Sequence, residues 1–178
     1  MNNQQSTQNA QRRQRQFNQT PSEFEEQVVQ VNRVSKKTKG GNKVGFSALT
    51  VVGDKKGRVG VGLGKAPDVS NAIRKGISLA KKHMITIPLV DGTIPFRIDV
   101  KIGAARIMLK PAPRGSGVIA GGAVRSVVAA AGIENISSKM LGTTNKISNI
   151  YATLEALKRV TEQADKTKAR KAAIKGTK

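Results

Sequence analysis

The chain has 178 residues, 38% of them hydrophobic, with 32 Lys and Arg against 11 Asp and Glu, a formal net charge of +21. Such an excess repels itself in a compact state and calls for a polyanion: nucleic acid first, because each contacted phosphate releases counterions, with an anionic membrane surface as the rival. The absence of Cys excludes disulfides, thiolate metal sites and cysteine nucleophiles, and a single His, His83, excludes a His-rich metal site and argues against a classical triad.

Residues 1–22 read as a disordered Gln- and Asn-rich tail carrying Arg12, Arg13 and Arg15. An acidic piece with Glu23, Glu25 and Glu26 follows. Three strands are expected over 28–65: Val28–Val34, Val44–Val52 and a third after the turn Gly53-Asp54-Lys55-Lys56-Gly57. In the third, Val59, Val61 and Leu63 alternate with Gly60, Gly62 and Gly64. A face without side chains admits another backbone, either a packed helix or an RNA chain. Asp68 is the expected N-cap of a helix whose apolar stripe is Val69, Ala72, Ile73, Gly76, Ile77, Ala80 and Met84. These elements make an α+β lobe over 23–86.

A second lobe is expected over 87–160, opened by a strand Ile85–Val90 and the turn Asp91-Gly92. Strands Ile94–Ile102 and Arg106–Leu109, a Gly-rich loop, and a helix Ala123–Ala131 stopped by Gly132 come next. Glu134–Leu141 is a further strand. Thr144 or Asn145 caps a last helix with Ile147, Ile150, Tyr151, Leu154 and Leu157 inward. Residues 161–178 read as a solvated, disordered basic tail. No apolar run is suited to span a membrane.

Three stretches invite chemistry. The loop 33–43 concentrates Arg33, Lys36, Lys37, Lys39 and Lys43 without an acid, and Gly40 and Gly41 let the ammonium groups converge on phosphates. Arg58 and Lys65 are expected to join them. The run 57–65 fails as a nucleotide motif: Lys65 stands where the dinucleotide fingerprint needs its third glycine, and Ala66 stands where a P-loop needs Ser or Thr. Arg114-Gly115-Ser116-Gly117, leading through Gly121-Gly122 into a helix, would suit an anion or simple close packing. Residues 100–133 hold no acid to carry Mg²⁺, so phosphoryl transfer is disfavoured and nucleic-acid phosphate is preferred, with Lys110 and Arg114 as its contacts. Aromatic residues make up only 3% of the chain, which points to folded RNA read by backbone and shape rather than by stacking. Phe46 and Tyr151 are expected in the core. The resulting expectation is a binding protein without catalytic residues, cofactor, metal or small-molecule substrate.

The strings Val31-Asn32-Arg33-Val34-Ser35-Lys36, Lys39-Gly40-Gly41, Ala48-Leu49-Thr50-Val51-Val52-Gly53-Asp54 and Gly57–Ala66 resemble the first domain of the bacterial small-subunit ribosomal protein S-five family. Ile102-Gly103-Ala104, Leu109-Lys110-Pro111-Ala112, Gly115–Arg125 and Leu141-Gly142-Thr143-Thr144-Asn145 follow in that family's order. Departures are mild: Ser70 and Lys146 stand where Pro is usual, Val44 where an aromatic is common, and Phe96 where His is frequent. The resemblance implies a double-stranded-RNA-binding-like lobe, with a three-stranded antiparallel sheet plus helix, and a C-terminal lobe of the left-handed β-α-β type. It implies a structural role in the cytoplasmic ribosome: binding small-subunit rRNA, lying beside the mRNA entry region and affecting decoding accuracy, next to ribosomal proteins S-four and S-eight. By motif it assigns Val34, Ser35 and Lys36 to the rRNA-reaching loop, and Gly115, Ser116, Gly117 and Arg125 to the side facing S-four. A free-standing RNA-binding or assembly factor is the alternative.

Overall fold

The computed structural model describes residues 23–175. The expected tail at 1–22 lies outside the described residues, as do 176–178. Two four-stranded sheets are present among them, ordered β1-β2-β3-β4 and β5-β6-β8-β7.

In the first sheet, β1 (Glu25–Thr38) pairs antiparallel with β2 (Gly41–Gly53), and β2 with β3 (Arg58–Ala66). Both strands of the β1–β2 hairpin run further than the apolar alternation suggested, so the expected loop at 35–43 is itself a β-ladder closed by the turn at Thr38–Gly41. A fourth strand, β4 (Ile85–Thr86), pairs with β3. The segment from Ile85 therefore completes the first sheet rather than opening the second lobe. Pro88 follows, and a residue without an N–H ends the ladder.

Helix α1 (Val69–Lys82) lies on the glycine face of β3. A Cβ on Gly64, Gly62 or Gly60 would run into the carbonyl oxygens of Ala72, Gly76 and Ala80 respectively. The spacings match because two strand residues rise about 6.6 Å and four helix residues about 6.0 Å. The backbone admitted by that face is thus the helix, and the face is closed to RNA. Asp68 stands at the N-cap without a side-chain cap bond; its carboxylate instead accepts from Asn71 Nδ2 at 3.0 Å.

The second sheet is built from β5 (Ile98–Ile102), β6 (Ala105–Pro111), β7 (Val118–Ile119) and β8 (Ile136–Met140). The strand expected from Ile94 starts only at Ile98, past Pro95, although Ile94 is buried. Asp91 and Gly92 form the expected tight turn, both with positive φ and bridged by Val90 and Thr93. β7, α2 (Gly122–Ala131) and β8 form a β-α-β unit whose strands are parallel. Gly132, at φ +80°, ends α2 as expected.

The last helix, α3, runs Lys146–Lys175. Asn145 Oδ1 caps it by accepting the Ile147 N–H at 3.0 Å. The basic segment expected to be disordered from 161 is helical to Lys175. Ala, Lys and Arg are strong helix formers, so propensity carries the helix past the end of its apolar stripe. Val160 and Ala164 remain buried, and Thr161 Oγ1 donates to Thr86 O of β4 at 3.0 Å. Tyr151, expected inward, is 39% exposed.

One core serves both lobes. Leu49, Val51, Val59 and Val61 of the first sheet belong to the same buried cluster as Val124, Val127, Ile107, Ile150 and Leu157 of the second lobe. Backbone bonds seal the junction: Lys55 N–H donates to Ala130 O at 3.1 Å and Gly57 N–H to Ala131 O at 2.9 Å.

Candidate nucleic-acid interface

The far end of the first sheet projects beyond this core. From Asn32 to Lys43 every residue is exposed, including Arg33, Val34, Ser35, Lys36, Lys37, Lys39, Gly40 and Gly41. The register sets Lys36 directly opposite Lys43, and opposed residues of an antiparallel pair share a face. Like charges so placed repel. Val34 and Gly45, the next pair on that face, separate the two lysines from the packed part of the sheet. Thr38 Oγ1 donates to Gly41 O at 2.8 Å and pins the tip.

Lys65 on β3 lies opposite Ser47 and, with Val34, Lys36, Lys43, Gly45 and Phe46, lines an open concavity of about 490 Å³. None of the six ion pairs among the described residues involves Arg33, Lys36, Lys37, Lys39, Lys43 or Lys65. Elsewhere six of the acids are placed beside cations, among them Glu25 by Lys55, Glu26 by Lys81 and Asp99 by Arg97. This end of the molecule is therefore a cation cluster that no acid among the described residues neutralises.

Arg58 does not join it. It begins β3, about 23 Å along the strand from Lys65. Its Nε donates to Asp54 Oδ2 at 2.7 Å, and its guanidinium lies 5.4 Å from the Phe24 ring centroid. Asp54 organises the β2–β3 turn by also accepting the N–H groups of Lys56 and Arg58 at 2.8 and 2.9 Å. Burial alone would raise the Asp54 pKa, but the hydrogen bonds from Arg58 and from those two backbone N–H groups outweigh it and hold the carboxyl below its ordinary value. The same pairing raises the Arg58 pKa.

The glycine loop of the second lobe is not an open anion cradle. The N–H groups of Gly115 and Gly117 both donate to Asn135 Oδ1, at 3.0 and 3.2 Å, and the Ser116 N–H donates to Pro113 O at 3.2 Å. Arg114 pairs with Asp91. Arg125 projects from α2 and donates to Val118 O at 3.0 Å. Lys110 is exposed near the end of β6, opposite Ser137. Thus the hairpin residues and Lys65 come together, whereas Arg58, Lys110, Arg114 and Arg125 lie elsewhere. What sequence reasoning missed is the Lys36–Lys43 opposition, which only the strand register reveals.

Residues 24–88 match the family model described as ribosomal protein S5, N-terminal domain, and residues 100–170 match that for ribosomal protein S5, C-terminal domain. Together these matches span well over half of the chain. The chain belongs to the ribosomal protein S5 family, and its role is that of a ribosomal, rRNA-associated protein.

Proposed function

We propose that, as a member of this family, the chain is a structural constituent of the small ribosomal subunit that holds rRNA chiefly through the β1–β2 hairpin. The observation that carries the proposal is the set of five exposed cations on that hairpin, two directly opposed and none paired with a carboxylate among the described residues. Phosphates brought against them relieve the repulsion and release counterions. Lys65 extends the contact along the concavity. Val34 and Ser35 sit within reach of the same RNA, and Gly40 and Gly41 allow close approach at the tip. Lys110 and Arg114 are secondary contacts.

From this seat the protein contributes to decoding accuracy and to the mRNA entry region of a cytoplasmic ribosome. Gly115, Ser116, Gly117 and Arg125 face ribosomal protein S-four, and S-eight is a second neighbour. The internal bonding of the glycine loop supports this reading, since a turn held by Asn135 is a preformed surface for protein packing. No step of chemistry is assigned to the chain. Sedimentation of ribosomal particles in moderate salt tests the proposal: the protein remains with the small subunit and brings down its rRNA. A protein that washes off would instead be an assembly factor.

A further inference from the structure

The second sheet has two unlike faces. Inward, Ile98, Val100, Ala105, Ile107 and Leu109 pack into the common core. Outward, the alternate positions are exposed or half-exposed, and nothing among the described residues covers them. Lys101 of β5 stands directly opposite Arg106 of β6. Lys139 of β8 stands opposite Met108, and Lys110 opposite Ser137. Lys139 is therefore a diagonal neighbour of both Arg106 and Lys110, at about 7–8 Å.

None of these four cations enters an ion pair among the described residues, and the one acid on the face, Asp99, is held by Arg97 at 3.1 Å. The Lys101–Arg106 opposition repeats in the second lobe what Lys36 and Lys43 do in the first. In both, a hairpin ladder brings two like charges together without an acid between them.

We infer that this face is a second RNA platform, gripping a sugar–phosphate backbone through Lys101, Arg106, Lys110 and Lys139. The inference rests on the reading that RNA is the partner of this chain. The occupant follows from charge and from what the face lacks. A lattice of cations about 5–8 Å apart suits a repeating anion better than a single one. No aromatic side chain among the described residues lies on the face, so it offers no platform for base stacking, and recognition runs through phosphates. Lys110 is then the corner of a surface rather than an isolated contact.

The test uses the full-length protein with Lys101, Arg106 and Lys139 all changed to Gln, and rRNA of the small subunit as the probe. The slope of log affinity against log salt falls by about 2 to 3, both in the wild-type background and when the hairpin is reversed by Lys36→Glu, Lys37→Glu and Lys39→Glu. Lys139→Gln alone lowers it by about 0.7–0.9. A charge-matched control with Lys56, Lys158 and Lys166 changed to Gln keeps the wild-type slope, and thermal melting shows every variant folded. The inference is overturned if the face variant keeps the wild-type slope, or if the control loses as much. It is equally overturned if the face variant loses binding to poly-glutamate while its rRNA slope is intact, which would assign the face to an acidic protein segment. A hairpin-reversed protein with an unchanged slope would count against the hairpin alone and leave this face standing.

Discussion

The first sheet is covered on both sides, by α1 against its glycine face and by the second lobe against Leu49, Val51, Val59 and Val61, whereas among the described residues the second sheet is covered on one side only. The difference decides where each can meet a partner. A sheet buried on both faces has only its ends and edges left, so the first lobe extends a hairpin past its core and places its charge there. A sheet with a free face can distribute charge over that face. The same cationic surplus is thus displayed in two geometries, a projecting finger and a flat lattice, and in both the like charges are held together by strand register.

The strongest way to break this comparison is to force a side chain between β3 and α1. Gly62→Val would meet the backbone of Gly76 and of Ala80, neither of which can yield as a side-chain tip can. We expect a loss of about 3 kcal/mol or more and a fall in melting temperature of roughly 10 °C. A near-native melting curve would mean that the helix is not seated on the glycines.

Leu157→Ala comes next. Leu157 is fully buried in the cluster that serves both lobes. Its truncation should cost about 3 kcal/mol and lower both lobes together, in one cooperative transition seen alike by calorimetry and by hydrogen exchange. Two separated transitions would show that each lobe has its own core.

A smaller effect is expected from Asp54→Asn, about 1 kcal/mol near neutral pH. Because the Asp54 carboxyl is held below its ordinary value in the folded state, its contribution is complete above the unfolded pKa of about 3.9 and is lost as the pH falls through the lower folded value. The wild type and Asp54→Asn should therefore converge in denaturant midpoint on acidification below about pH 4. A constant gap down to pH 2 would assign the effect to something other than this ionisation.

The smallest change sharpens the comparison instead of breaking it. Lys43→Gln removes one of two opposed charges and should raise the stability of the free protein by a few tenths of a kcal/mol, roughly 0.3, while weakening RNA binding. A variant that melts earlier than wild type would place a stabilising partner for Lys43 within the protein.

Several of these features are legible in the residues themselves. The alternation of Val59, Val61 and Leu63 with glycines announces a strand with a bare face, but it leaves open which backbone will occupy it. Only the fold, setting Ala72, Gly76 and Ala80 at the matching rise, makes the choice. The basic run 33–43 is conspicuous in composition, yet a loop and a ladder look alike there because no core faces it and no apolar alternation is required. The opposition of Lys36 and Lys43 depends on register, which the turn at Lys39-Gly40 sets. Glycines at 115 and 117 suggest free N–H groups, and nothing in sequence links them to Asn135, which satisfies both. Tyr151 falls on the helical stripe, but the stripe is wider than the surface α3 buries. The exposed cations of the second sheet are scattered over three short strands, Lys101 on β5, Arg106 and Lys110 on β6 and Lys139 on β8, and no pattern stands out before the strands are aligned.

Neutralisation of the hairpin cations by rRNA phosphate is open to one direct titration. The affinity of the wild type and of the protein with Lys36, Lys37 and Lys39 reversed to Glu is measured for small-subunit rRNA between low and moderate salt. Weaker binding and a salt slope shallower by about 2 to 3 are expected, at a melting temperature no lower than that of the wild type, because a glutamate in place of Lys36 would face Lys43 across the ladder. Equal slopes for the two folded proteins would contradict such neutralisation.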